Sequence, residues 1–203
     1  MLRSYNRTYL RDVMKNLAGL MDIAINSEGL NEDEFGKMFA DSEVARQIEN
    51  GVPDMLSGKS ATEMLSMILG RDVECTTVTT DRSEAYWAGW ILAIAQWETG
   101  RKFSEILAVT PVSDLMNMYY PLHEAPEEKT VEIIKSRLPQ TESKLKIMRK
   151  KRGLTQKQLS FLADVNLRSI RAYEQGSNDI YRAQGETLQQ LASALNCSIE
   201  ELL

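Results

Sequence analysis

A chain of 203 residues, 43% hydrophobic and 26% charged, is long enough to bury one or two cores without covalent staples. Two cysteines and one histidine exclude a disulfide framework, a cysteine-rich zinc site and clustered histidine metal chemistry. The net charge of −5 hides an asymmetry: residues 1–140 hold 14 Lys+Arg against 22 Asp+Glu, while residues 144–171 hold nine basic residues and one acid, Asp164. A basic block beside an acidic body points to two functions, because only the block suits a polyanion.

The chain reads helical almost throughout. Leu10, Val13, Met14, Leu17, Leu20, Met21 and Ala24 recur at steps of three and four, predicting a helix over 4–25. Asn31 with Glu34 predicts a capping box that opens a helix containing Phe35, Met38 and Phe39. Ser42 is placed to cap the next helix, which carries Val44, Ala45 and Ile48 and stops at Gly51 before the break at Val52-Pro53. Ser60 with Glu63 is a second capping box, and Gly70 closes that helix. Residues 71–82 are the one extended stretch, a loop with room for a short strand through Val73, Cys75, Thr77 and Thr79. Residues 83–99 are apolar on most faces, which predicts the central buried helix, ended by Gly100.

Trp87, Trp90 and Trp97 on that helix are read as core rather than as stacking residues. Shorter helices are expected at 103–108, 112–119 and 127–138. Pro121 and Pro126 bracket the segment Leu122-His123-Glu124-Ala125. The polar run 139–143, where the charge balance changes sign, is the expected domain boundary.

The sequence gives no support for catalysis. It contains no nucleophile elbow, phosphate loop, dinucleotide fingerprint or zinc-peptidase motif. His123 beside Glu124 could act as an acid or base, but a helix-end histidine bonded to a backbone carbonyl accounts for it more simply. No catalytic residue, cofactor or metal is expected. The longest mostly apolar stretch, residues 85–97, is shorter than the roughly 20 residues that span a bilayer. The first ten residues lack the apolar core of a secretory signal. A cytoplasmic protein with reduced thiols, not bound to a membrane, is expected.

The basic segment is the informative one. In 144–149, Leu145 and Met148 face inward, and the lysines and arginines are expected to face out. Gly153 suits a helix end, and Thr155 is an N-cap for a helix over 156–163. After a tight break at Asp164-Val165, Asn166 caps a helix over 167–174 that Gly176 closes. Two short helices so joined form a helix-turn-helix. Leu159, Ala163, Val165, Ile170 and Tyr173 take the inner positions. Gln156, Lys157, Asn166, Arg168, Ser169 and Arg171 face out, suiting phosphate contacts from the first helix and base-edge contacts from the second.

The run from Leu154 through Gly176 resembles the phage-repressor, Cro-like (XRE-type) helix-turn-helix family. The run from Glu186 to Leu203 resembles that family's last two helices. The resemblance implies a lambda-repressor-like five-helix domain that binds double-stranded DNA. It places Gln156 on a phosphate, Leu167, Arg168 and Ala172 where the family reads bases, and Asn166, Ser169 and Arg171 at flanking contacts. Residues 177–185 form a connection about three residues longer than the family's usual one. Segments 35–53, 86–90, 96–100 and 120–125 resemble antitoxin-type two-domain regulators of anaerobic Gram-positive bacteria.

The expectation is therefore an all-α protein of two domains. Residues 1–140 form an acidic helical domain that binds a partner or ligand, and residues 141–203 bind DNA. The expected function is a sequence-specific regulator, a repressor, dimeric on a pseudo-palindrome. Three roles remain open for the front domain: gripping a cognate toxin-like protein, sensing a small ligand beside the tryptophans, or an enzymatic activity tethered to DNA.

Overall fold

The computed structural model describes residues 5–74, 83–139 and 142–203. Among these residues all regular structure is helical and no strand occurs, the all-α class expected. The extended reading of 71–82 is met only by residues 71–74, which are non-helical; Cys75, Thr77 and Thr79 lie outside the described residues. The described residues fall into two compact units, one running to Leu138 and the other from Pro139 to Leu203.

The front unit is built on two helices, α1 (Arg7–Asp22) and α5 (Glu84–Thr99). The first opens later than predicted. Asn6 is extended and its side chain accepts the Thr8 N–H at 3.0 Å, so the helix opens at Arg7. Beyond Asp22 the backbone widens into a π turn, Ile23–Ser27. α5 is the central helix expected: eleven of its sixteen residues are buried, among them Ile91, Leu92, Ile94 and Trp97. It lies along α1 and also meets α7 (Val112–Asn117) and α9 (Glu127–Arg137). Gly89 lets the first two helices touch. A Cβ there would sit 2.3 Å from the Leu17 carbonyl oxygen and 2.8 Å from the Ala18 Cα.

Around this pair stand α2 (Glu32–Ala40), α3 (Glu43–Glu49), α4 (Ala61–Leu69) and α6 (Phe103–Val109). Local caps fix most of their starts. Ser60 and Glu63 form the full predicted box, the Ser60 N–H bonding Glu63 Oε2 at 2.8 Å and the Glu63 N–H bonding Ser60 Oγ at 3.2 Å. At Asn31 only half of the expected box exists. Asn31 Oδ1 accepts the Asp33 and Glu34 N–H groups, but the Glu34 side chain makes no return bond. Asn31 alone satisfies two of the orphan donors.

Three carboxylates in this acidic unit cap helices far away in sequence. Asp22, buried at the end of α1, accepts from Ser83 Oγ, and that oxygen in turn caps α5 through the Tyr86 N–H. Asp33 accepts the Ser113 N–H at 2.9 Å and Ser113 Oγ at 2.7 Å, at the start of α7. Glu49 accepts the Phe103 N–H at 2.7 Å, at the start of α6. Helix N-termini favour negative charge, so part of the acidity of this unit holds its helices in place.

The segment predicted as one helix over 112–119 is broken. α7 ends at Asn117, and a four-residue turn α8 (Tyr119–Leu122) follows, with Tyr120 extended (φ −94°, ψ 121°) ahead of Pro121. A residue before proline is driven out of the helical region, which accounts for Tyr120; α7 ends earlier, at its C-cap Met118. His123 bonds the Tyr119 carbonyl through Nδ1 at 2.8 Å, the structural role weighed above.

The back unit holds α10 (Lys144–Lys151), α11 (Gln156–Ala163), α12 (Leu167–Gln175), α13 (Gly185–Leu195) and α14 (Ile199–Leu202), with a 3-10 turn at Ile180–Arg182. Leu145, Leu159, Ala163, Val165, Ile170, Leu191, Leu195 and Leu202 make its core. The long connection before α13 is anchored: the Tyr181 hydroxyl donates to the Leu203 carbonyl.

Candidate nucleic-acid interface

The interface is set by the two caps that open α11 and α12. Thr155 and Gln158 form a capping box, the Thr155 N–H bonding Gln158 Oε1 at 2.8 Å and the Gln158 N–H bonding Thr155 Oγ1 at 3.2 Å. α11 ends on Asp164, which takes the left-handed conformation (φ 51°) that reverses the chain within three residues. Ser160 spans the turn, accepting the Val165 N–H on its carbonyl and donating its hydroxyl to the Val165 carbonyl at 2.7 Å. Asn166 then caps α12 through the Arg168 N–H at 2.8 Å.

α12 buries only Ile170 and Glu174. Lys157, Asn166, Arg168 and Arg171 are exposed, while Leu167, Ser169, Ala172 and Gln156 are half-buried. Among the described residues, no carboxylate pairs with Lys157, Arg168 or Arg171. These three cations are thus open to a polyanion.

Of the rest of the basic block, Lys144, Lys150, Lys151 and Arg152 are exposed, and one residue departs from the expectation. Arg149, expected on the outer face of α10, is buried. Its Nε and Nη2 meet the two carboxylate oxygens of Glu174 at 2.5 and 2.8 Å, and its Nη1 donates to the Leu154 carbonyl at 2.7 Å. Burial of its apolar stem and a bidentate partner 25 residues along the chain turn it inward. Arg152 donates from Nε to the Leu195 carbonyl at 2.6 Å, satisfying an acceptor at the end of α13. Lys146 and Lys150 both face Glu142.

Gln156 is also corrected in part. It was expected to face outward onto a phosphate, but its Nε2 donates to Glu174 Oε2 at 2.8 Å. One amide hydrogen and the amide oxygen remain for a ligand, and the side chain is held in one orientation. Burial pushes the Glu174 carboxyl up. The hydrogen bonds from Arg149 and Gln156 and the Arg149 charge more than reverse that, leaving it below the usual glutamate range. The Arg149 guanidinium is raised, first by its hydrogen bonds to Glu174. One buried carboxylate therefore ties α10, α11 and α12 together directly behind the exposed face.

No group of His, Cys, Asp or Glu among the described residues could hold a metal ion, and no described helix is long and apolar enough to cross a membrane. Cys197 is free and half-buried, its thiol pushed up by burial.

Comparison with known families matches residues 145–202 to a helix-turn-helix model, the region bounded by Leu145 of α10 and Leu202 of α14. Neither the curated proteins nor the solved structures contain a match to the chain.

Proposed function

Residues 145–202 being an XRE/Cro-like helix-turn-helix domain, and so the DNA-binding part of a transcriptional regulator, we propose that the chain is a sequence-specific repressor. The observation that carries this reading is the face of α11 and α12 on which Lys157, Arg168 and Arg171 stand exposed without ion-pair partners. Arg168, in the first turn of α12, is the base reader: a guanidinium can donate two bonds to guanine O6 and N7. Leu167 and Ala172 supply apolar contacts to bases. Asn166, Ser169 and Arg171 flank them. Gln156 and Lys157, in the first turn of α11, fix the domain on phosphates, aided by the free amides there.

Repression follows from occupancy of the groove at a promoter, in the cytoplasm where the DNA is. One such domain reads few base pairs, so the working form is a dimer on a pseudo-palindrome. The domain spanning residues 1–140 carries −8 and would be repelled by DNA, which makes it the module that grips a protein partner. In that arrangement the chain acts as the antitoxin and autorepressor of a toxin–antitoxin-like locus, by binding and without catalysis.

The test is selection of bound sequences from a random duplex pool by the full chain, repeated with Arg168→Ala. The expected result is a two-fold-symmetric consensus for the wild type. The variant should lose about 1–3 kcal/mol and its preference at one base position per half-site. Equal affinity and an unchanged consensus would remove Arg168 from the reading role. A pool that yields no consensus would remove sequence-specific repression altogether.

A further inference from the structure

The front unit carries more aromatic surface than its core uses. Trp97 is buried and donates to the Tyr5 carbonyl at 3.1 Å. Trp87 and Trp90, on the same helix, are only partly buried. Trp87 meets the Tyr119 ring edge-on at 5.9 Å, Tyr119 meets Tyr120 at 4.9 Å and stacks on His123 at 4.2 Å, and Tyr120 meets His123 at 5.0 Å. Trp90 stacks with Tyr86 and donates its indole N–H to Glu127. The extended backbone at Tyr120 keeps that ring out of the core, and the residue is 69% exposed. The Trp87 indole N–H has no partner among the described residues.

Two carboxylates touch this cluster: Glu127 accepts from the Trp90 indole, and Glu124 lies beside His123. The stretches 83–100 and 111–128 contain six carboxylates and no lysine or arginine, with Arg82, Arg101 and Lys129 at their borders. Glu98 and Asp114 are paired with Lys135 and Arg137. Glu84, Glu124, Glu127 and Glu128 have no lysine or arginine partner among the described residues. Aromatic faces attract cations, and arginine stacks on them while its fork bonds carboxylates, which lysine does less well. Glu124 and Glu127 meet different rings of the cluster, so they match two cations spaced along a chain better than one small cation. A phosphate backbone would be repelled.

We propose that this aromatic and acidic face, centred on Trp87, Tyr119 and Tyr120, is the docking surface for an arginine-rich segment of a partner protein. The inference rests on the front domain being a partner-binding module and names where and by what chemistry it binds.

The experiment uses the full chain and three labelled synthetic peptides of equal length, rich in arginine, lysine or glutamate, followed by anisotropy and tryptophan emission. The arginine peptide should bind saturably and more tightly than the lysine peptide, and the glutamate peptide should not bind. Tyr120→Ala should weaken arginine-peptide binding about tenfold. The double change Glu124→Gln, Glu127→Gln should weaken it too, whereas the same charge removal elsewhere, Glu34→Gln with Asp41→Asn, should not. DNA gel shifts should be the same for all these variants. Equal binding of arginine and lysine peptides, with the remote variant as damaging as the local one, would reduce the face to general acidity and overturn the proposal. A cognate partner that co-purifies undiminished with Tyr120→Ala would overturn the docking face and leave the partner-binding reading intact. Arginine-peptide binding at this face in a chain with no protein partner would do the reverse.

Discussion

The helices α5 and α12 bury themselves in opposite ways. α5 hides eleven residues on nearly every side, and its stability comes from apolar area and close approach. α12 hides two, Ile170 and Glu174, and is held by one aliphatic anchor and one charged one. A helix that must present most of its surface to a ligand cannot be secured by burial. It is secured at a point, by a carboxylate that three side-chain donors of Arg149 and Gln156 share. The helix of the core tolerates no added volume, and the helix of the interface tolerates no loss of its anchor.

That contrast can be broken most forcefully at the anchor. Glu174→Ala leaves the Arg149 guanidinium buried without its partner, and removing one member of a buried pair costs about 3–5 kcal/mol. Chemical denaturation should show the back unit losing most of its stability while the front unit keeps its own transition. The same pair imposes a pH dependence. Because the folded carboxyl lies below its unfolded value of about 4.3, its contribution is full above that pH and is lost as pH falls through the lowered folded value. Melts of the wild type between pH 7 and pH 3 should show this loss, and Glu174→Gln should flatten it.

At the packed end of the comparison, Gly89→Ala should destabilise the front unit by about 1–3 kcal/mol or more, since the new Cβ meets the α1 backbone rather than a side chain that can swing aside. DNA binding should survive it. A variant as stable as the wild type would mean that α1 and α5 can separate more freely than their contact implies.

A smaller effect sharpens the interface side. Lys157→Ala should weaken binding to every sequence alike and reduce the slope of log K against log salt by about one. A change in preferred sequence with the slope intact would move Lys157 from phosphate to base. Smallest of all is the turn between the helices. Asp164 sits at positive φ, where glycine is at ease, so Asp164→Gly should stabilise the back unit by about 1 kcal/mol at most, read as a small rise in its melting midpoint.

The sequence made some of these features legible and hid others, depending on distance along the chain. Ser60 with Glu63, Thr155, Asn166 and Gly176 announced helix ends because each acts within three residues of itself. The stripe of α1 and the all-round apolarity of α5 were equally local. Arg149 was read as outward because an arginine on a short basic helix has no local reason to turn in; the reason, Glu174, lies two helices away. The caps by Asp22, Asp33 and Glu49 were invisible for the same cause. Gln156 was recognised by motif, yet its tether to Glu174 was not, since the pattern records residue type and not orientation. At Asn31, the expected return bond from Glu34 failed because spacing permits such a bond without requiring it.

The backbone contact at Gly89 also sets an order in time. α1 cannot finish burying its apolar stripe until α5 arrives, although α4 meets it sooner, and everything from Ile23 to Ser83 lies between them. Contacts that close long loops form slowly, and the back unit has one of its own, α10 against α14, across a shorter span of chain than α1 to α5. During synthesis the first helix emerges early, with its partner still unmade, and must wait with Val13, Leu17, Leu20 and Met21 uncovered. Once Thr99 is free, the front unit can close around its two central helices. The DNA-binding unit, made after the front unit, then closes over the shorter span between α10 and α14.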